Sequence, residues 1–217
     1  KLKNNKFIIT AIDEESGLVH NDINDFIAGR FTEDALENVN KVFCWGNYDF
    51  PVLKEKFNNV SEKFQLTGSP RVDLWKKRFQ SYWENNTDSK NKYILISSNF
   101  AVVNSNVAIW KKYYELRKAG YFERDKFLEK NFINIQSSSL KLFYKFVEAI
   151  NILTDHFKNT NFLVRPHPVE SIDSWKILLK KRKNLIIDNN GPMSEVLKNS
   201  SMVIQNGCTT AFEAVLN

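Results

Sequence analysis

Short apolar runs alternate with amphipathic stretches along most of the chain. Lys6 to Ile12, KFIITAI, predicts a buried strand, bounded by the polar run Asp13 to Gly17. A mixed helical region over Asp25 to Asn38 precedes a second strand in KVFCWG, Lys41 to Gly46, which stops at glycine. Pro51 stands where a helix can begin, and Val52, Leu53 and Phe57 continue it at helical spacing. A short strand over Phe64 to Thr67, a Gly-Ser-Pro turn and a helix from Val72 to Trp83 follow. The polar run Glu84 to Lys92 then reads as a linker.

Beyond it the alternation becomes regular. YILISS is a strand from Tyr93, and a polar loop leads to a helical stretch over Lys111 to Phe132. A long helix over Ser139 to Phe157 sets Leu142, Phe146, Ala149, Ile150 and Leu153 on one face. Then come strand NFLVRP, a helix over Ile172 to Lys181, strand NLIID, helix PMSEVLKN, strand SMVIQN and helix CTTAFEAVL. Strands joined through helices by short connections predict parallel βα units, an α/β fold in two parts: residues 1–91 and 92–217.

Composition narrows the class without choosing a function. The 217 residues carry 31 Lys and Arg against 25 Asp and Glu, a formal charge of +6, with acids and bases interspersed. That excess permits an anionic ligand or a membrane surface and requires neither. Lys180 to Lys183 cluster without interleaved aromatics, so no nucleic-acid partner is expected. Cys44 and Cys208 are the only cysteines and each follows an apolar run, which suggests a reducing, cytoplasmic setting. No apolar run reaches the roughly 20 residues that cross a bilayer. The chain lacks an initiator Met and stops inside a predicted helix, as a piece of a longer protein with further domains would.

Ligands of open α/β sheets bind beyond the carboxyl ends of strands. Five junctions qualify: Asp13 to Ser16, Gly68 to Asp73, Ser98 to Phe100, Arg165 to Pro168 and Gln205 to Thr210. At Arg165-Pro166-His167-Pro168 the two prolines restrain the backbone around His167, whose imidazole can donate to a phosphate or leaving-group oxygen; a rigid turn with an exposed histidine is the plainer alternative. At Asn206-Gly207-Cys208-Thr209-Thr210 the glycine permits a tight turn, and Thr209 or Thr210 either caps the following helix or helps seat an anion. Glu213, one turn further, suits a capping bond or a sugar hydroxyl. No Walker loop and no GxGxxG stretch occurs.

Asp13, Glu14 and Glu15 form a carboxylate group after the first strand, either a solvated strand end or a source of general acid or base. Asp73 follows the Gly68 to Arg71 turn, as a nucleophile candidate or a helix cap, and Arg71 is either an ion-pair partner or a contact to a sugar-acid carboxylate. Asn99 lies on the polar loop after the Tyr93 strand and is a substrate-binding candidate. His20 and His156 have no ligand spacing to His167 and no DxD pattern is present, so neither a metal nor another cofactor is expected. Among the aromatics, Trp45 draws notice because it precedes Gly46 at a strand exit.

The order RPHP, a strand ending in Asp188-Asn189, then QNGCTTAFEA, with IDEESGLV, FCWGNYD and LTGSPRVD upstream, resembles the bacterial surface carbohydrate biosynthesis glycosyltransferases of GT-B architecture. It is similar, more distantly, to the capsule Kdo transferases and the glycerophosphotransferases of teichoic acid synthesis. The resemblance spans Ile12 to Ala214. It implies two Rossmann-like domains facing a cleft, the first of them incomplete: residues 1–91 as the carboxyl-terminal part of an acceptor-side domain, and 92–217 as the nucleotide-sugar domain, truncated at its end. Arg165, His167, Asn206, Gly207, Thr209 and Thr210 would then surround the donor phosphate, and Glu213 would contact ribose or base. The donor would be a nucleotide sugar, CMP-linked by analogy with the Kdo transferases. The acceptor would be a surface glycan or lipid-linked glycan, reached from the cytoplasm at the inner face of the membrane. Peripheral membrane association then has a candidate surface in the Lys- and aromatic-rich stretch Trp110 to Phe132, for which a solvent-facing helix with buried tyrosines is the equal alternative. A non-catalytic nucleotide-sugar-binding module and a nucleotide-sugar epimerase stay open as alternatives.

Overall fold

The computed structural model describes residues 7–14, 23–76, 78–79, 92–124 and 126–216. The chain divides into two compact units, Lys1–Lys76 and Lys77–Asn217. Glu15 and most of the polar run 84–92 lie outside the described residues.

The first unit runs β1 (Thr10–Ile12), α1 (Ile23–Arg30), α2 (Glu33–Glu37), β2 (Lys41–Cys44), α3 (Phe50–Lys56), a 3-10 segment (Asn58–Lys63), β3 (Phe64–Leu66) and α4 (Pro70–Trp75). The strands pair in parallel in the order β1-β2-β3. Local chemistry sets the helix starts. Thr32 accepts from the Ala35 amide to cap α2, Pro51 sits in the first turn of α3, and Ser69 accepts from the Val72 amide ahead of Pro70 in α4. Ile27, Leu36, Val42, Cys44, Leu53, Phe57 and Phe64 form the core. Burial there, helped by the charge of Asp49, pushes the Cys44 thiol up to about 12.

Two expected elements are shorter. The strand from Lys6 begins only at Thr10, and Phe7 and Ile8 are 58% and 82% exposed. Among the described strands β1 is an edge paired with β2 alone, and the Ile9 backbone is held by Asn40 instead of a second strand. The helix expected over Val72 to Trp83 runs from Pro70 and ends at Trp75, where Lys76 adopts an extended backbone (φ −68°, ψ 143°), and residues 80–83 of that stretch lie outside the described residues.

The second unit runs β4 (Tyr93–Ser97), α5 (Ile109–Lys118), α6 (Tyr121–Arg124), α7 (Lys126–His156), β5 (Asn161–Arg165), α8 (Ile172–Leu178), β6 (Leu185–Ile187), α9 (Met193–Lys198), β7 (Ser200–Gln205) and α10 (Thr210–Leu216). Its four strands are parallel in the order β6-β5-β4-β7. β4 is internal and its Leu95 and Ile96 are both fully buried, as a strand covered on two faces requires; edge strand β6 leaves Ile186 60% exposed. The long helix starts earlier than expected, at Lys126. Its core stripe is Phe143, Val147, Ile150 and Thr154, packed with Phe162, Val164 and Trp175, and Leu142 turns outward at 54% exposure.

Both units are thus mixed α/β with parallel sheets, in keeping with Rossmann-like domains. No helix among the described residues is long and apolar enough to cross a membrane.

Candidate functional site

In the second unit three junctions meet at one sheet edge. β4 lies between β5 and β7, and the register pairs Ser97 with Arg165 on one side and with Gln205 on the other. The segments following those residues therefore leave the sheet at the same level. Parallel strands make this unavoidable: all carboxyl ends point one way.

The β4 and β7 exits are clamped together. The Asn99 amide donates to Asn206 Oδ1 at 2.7 Å, Asn99 Nδ2 donates to the Gly207 carbonyl at 3.1 Å, and Asn206 Nδ2 donates to the Asn99 carbonyl at 3.3 Å. Gln205 folds its side-chain oxygen over the turn, accepting from the Gly207 amide and, at 3.0 Å, from the Cys208 amide. Gly207 has φ +82°, a left-handed conformation that a side chain would strain. Thr210, buried at the start of α10, accepts from Ser97 Oγ at 3.4 Å, and Cys208 Sγ lies 3.6 Å from the same hydroxyl. Thr209 serves through its carbonyl, which accepts from the Phe212 and Glu213 amides at 3.1 and 3.4 Å.

At the β5 exit Arg165 and His167 part company. Arg165 is buried and donates to the carbonyls of Asn190 and Gly191, so its guanidinium braces the loop between β6 and α9. Burial lowers its pKa, while the carboxylates of Asp188 and Glu213 oppose that shift. Glu213, itself 4% exposed, thus faces a buried cation from α10. His167 is exposed, and its Nδ1 accepts from the Val169 amide at 3.4 Å. That bond assigns the proton of the neutral ring to Nε2, as a donor on the exposed side chain.

Glu170 is the site residue that sequence reasoning missed. It is 6% exposed, and its carboxylate gathers five donors. Oε1 accepts from Ser98 Oγ at 2.9 Å, the Phe100 amide at 3.0 Å and the His167 amide at 3.1 Å. Oε2 accepts from Asn104 Nδ2 at 3.2 Å and Trp175 Nε1 at 3.0 Å. One acidic side chain thereby locks the β4 exit, the turn after β5 and the buried face of α8. Its local signal is slight: an acid three residues after His167, ahead of a helix.

The remaining candidates belong to the first unit. Asp13 is ion-paired with Arg30 at 3.1 Å, and the Arg30 guanidinium also lies 5.0 Å from the Phe26 ring centroid. Glu14 is exposed. Asp73 pairs with Lys76 one turn along α4, both side chains well exposed, and Ser69 is the residue that caps that helix. Arg71 lies over the Trp75 ring, 5.3 Å from its centroid. A buried acid organises this unit too. The Asp49 carboxylate, 4% exposed in its residue, accepts from the Trp45 and Gly46 amides at 3.4 and 3.1 Å and so shapes the exit of β2. The spacing of Gly46 and Asp49 in WGNYD is the signal that could have found it.

What the second unit's edge offers chemically is a rigid rim with a polar surface. It combines a histidine N–H, an exposed glycine turn and interlocked asparagines over a buried charge network. Among the described residues no cluster of three or more His, Cys, Asp or Glu side chains is arranged to hold a metal ion. Compared with protein-family models, curated proteins and solved structures, the chain matches none.

Proposed function

We propose that this protein is a glycosyltransferase that moves a sugar from a nucleotide donor, CMP-linked by preference, to a surface glycan or lipid-linked acceptor, within a GT-B architecture. The observation that carries the reading is the alignment of Ser97, Arg165 and Gln205 in register, which sets the Asn99, His167 and Gly207 segments along one edge. That edge is where a parallel α/β sheet receives a nucleotide. The resemblance of RPHP and QNGCTTAFEA to the surface carbohydrate glycosyltransferases supports the same site, and likeness to the Kdo transferases in pairing an HP turn with a hydroxyl-rich turn supports CMP.

In this reading the bond between the anomeric carbon and the phosphate oxygen breaks, and the acceptor oxygen bonds to that carbon. The electron pair of the broken bond leaves with the nucleotide phosphate, and the acceptor's proton passes to a base. His167 Nε2–H meets the charge that develops on the phosphate, where a positioned donor is most effective. Asn99 and Asn206, each bonded to the other's segment, hold the Gly207 turn in place for the same phosphate. Arg165 acts one step back, since its visible bonds go to the Asn190 and Gly191 carbonyls; it keeps the neighbouring loop in position beside Glu213. On the acceptor side Asp13 and Glu14 are the base candidates. The Arg30 bond restrains Asp13, and Glu14 is exposed.

Calorimetric titration with CMP, UMP and GMP tests the donor assignment, with His167→Ala beside the unchanged chain. CMP is expected to bind selectively and to weaken by about tenfold or more in the variant, the loss of one charge-assisted hydrogen bond. Equal binding of all three nucleotides would remove the CMP preference, and binding of none by folded protein would remove the site. Product analysis of a CMP-sugar with and without a glycan acceptor then separates a transferase from an epimerase or a silent binding module.

A further inference from the structure

We propose that the open edge of β6, with the groove beside it, docks an acidic segment of a partner protein in extended conformation, which adds a strand to the second sheet. The inference goes beyond the transferase reading and does not depend on it.

Backbone geometry supplies the first half of the site. Among the described strands β6 pairs with β5 alone. The Phe162 amide donates to the Asn184 carbonyl at 2.8 Å and the Asp188 amide donates to the Val164 carbonyl at 3.0 Å, so the even-numbered residues of this stretch turn their backbone groups toward β5. Alternation along a strand then turns those of Leu185 and Ile187 the other way. The Leu185 amide closes a turn on the Arg182 carbonyl at 3.3 Å. Left on the open edge are the Leu185 carbonyl and both backbone groups of Ile187, a pattern that a further strand completes.

Side chains identify the occupant. Leu185 and Ile187 share one face of β6, and with Lys176, Ile177, Lys180 and Lys181 they line a groove of about 840 Å³. Ile177 is 81% exposed, and Ile186, on the opposite face of the strand, 60%, so apolar surface flanks the edge on both sides of the sheet. Asp173 is the only acid of the lining against those three lysines, and Lys183 adds an exposed cation just ahead of the strand. Arg182 is already engaged, its Nε donating to Asp155 at 2.8 Å. The edge thus selects an extended backbone, the isoleucines select apolar side chains, and the positive rim selects acidic ones. A second copy of this chain is disfavoured, because edge-to-edge pairing across a two-fold would bring the two lysine clusters together. A nucleic acid would find no ring to stack on, since none of the lining residues is aromatic.

The probe is a fluorescein-labelled peptide of about nine residues that alternates valine with glutamate, titrated with the full chain and read by polarisation. It is expected to bind, with an affinity that falls as salt rises. Serine in place of its valines, or lysine in place of its glutamates, should each weaken binding about tenfold or more. N-methylation tests the backbone on the unaltered protein: a strand shows alternate amides to its neighbour, so methylating one alternate set should abolish binding and methylating the other should change it less than about threefold. On the protein side, the triple variant Lys176→Glu, Lys180→Glu, Lys181→Glu should lower affinity about tenfold or more, and Ile177→Ser about threefold or more. The charge-matched control lies on α5, where Tyr113 packs inward on Phe122 and Phe132 with ring centroids 4.8 and 5.2 Å apart, and Lys111, Arg117 and Lys118 are exposed on the outward arc. Lys111→Glu, Arg117→Glu, Lys118→Glu should stay within about twofold of the unchanged chain. Failure of the peptide to bind overturns the proposal, as does equal binding of its serine version or equal tolerance of both methylated sets. So does an equal loss in the α5 control.

Discussion

Glu170 shows how much one residue can organise. A buried carboxylate without partners would be costly, and five hydrogen bonds from five residues turn that cost into a fixed geometry. Gln in its place keeps the size, halves the acceptor oxygens and sets an amide NH2 against donors that then go unmet. Glu170→Gln is therefore expected to destabilise the second unit by about 2–4 kcal/mol. Urea denaturation measures this, and a loss below about 0.5 kcal/mol would sink the account. The residues legible in the sequence were those with a local signature: His167 between two prolines, and Asn206-Gly207 after an apolar run. Glu170 was not legible because its partners Ser98, Phe100 and Asn104 lie 72, 70 and 66 residues away. The role given to Arg165 was hidden likewise, since the Asn190 and Gly191 carbonyls reach it only once β5 and β6 pair.

Elements in this protein are tied at their ends as well as along their lengths. The carboxyl end of α7 is a good example. Asn184 Nδ2 lies 3.1 Å from each of the carbonyls of Thr154, Phe157 and Thr160, and its two N–H groups are shared among them, at a helix end that leaves carbonyls open. Arg182 completes the tie, with Nε 2.8 Å from Asp155 Oδ1 and Nη1 3.0 Å from Asn151 Oδ1. The Arg182 bond lowers the Asp155 pKa from its ordinary 3.8. A carboxylate depressed on folding adds stability that is present above the unfolded value and lost as pH falls through the folded one. Asp155→Asn should thus lower the melting temperature slightly at neutral pH, by about 1–3 °C for a pair whose carboxylate is exposed, and make no difference near pH 2. A melting series from pH 7 downward checks this, and a gap that persists undiminished in acid would contradict it. The existence of α7 was plain from its period, but its outward and inward faces were not: Leu142 fits the helical repeat, yet Phe143 is the residue that meets Trp175, at 4.9 Å between centroids.

At the scale of the molecule the two units keep separate cores. Leu53 belongs to one and Ile150 to the other, at 1% and 2% exposure, and the two core clusters share no residue. Each unit therefore has its own cooperative basis for unfolding. Leu53→Ala and Ile150→Ala should each cost about 2–5 kcal/mol, and each should move a different transition in scanning calorimetry. A single transition displaced equally by both would show that the units unfold as one.

By itself the sequence determined the alternation of strand and helix and the turns where polar groups leave the sheet. Those features are written in periods of two and 3.6 residues and in the backbone limits of Pro and Gly, all local properties. Hence the parallel α/β class, the strands β2 to β7 and the turns around His167 and Gly207 were legible before any contact was known. Only the tertiary structure decided the strand order β6-β5-β4-β7, the level register of Ser97, Arg165 and Gln205, and the burial of Glu170 and Asp49. It also decided which arc of α5 faces outward. These depend on which distant segments meet, and pairing energies between segments far apart leave no periodic trace in the chain.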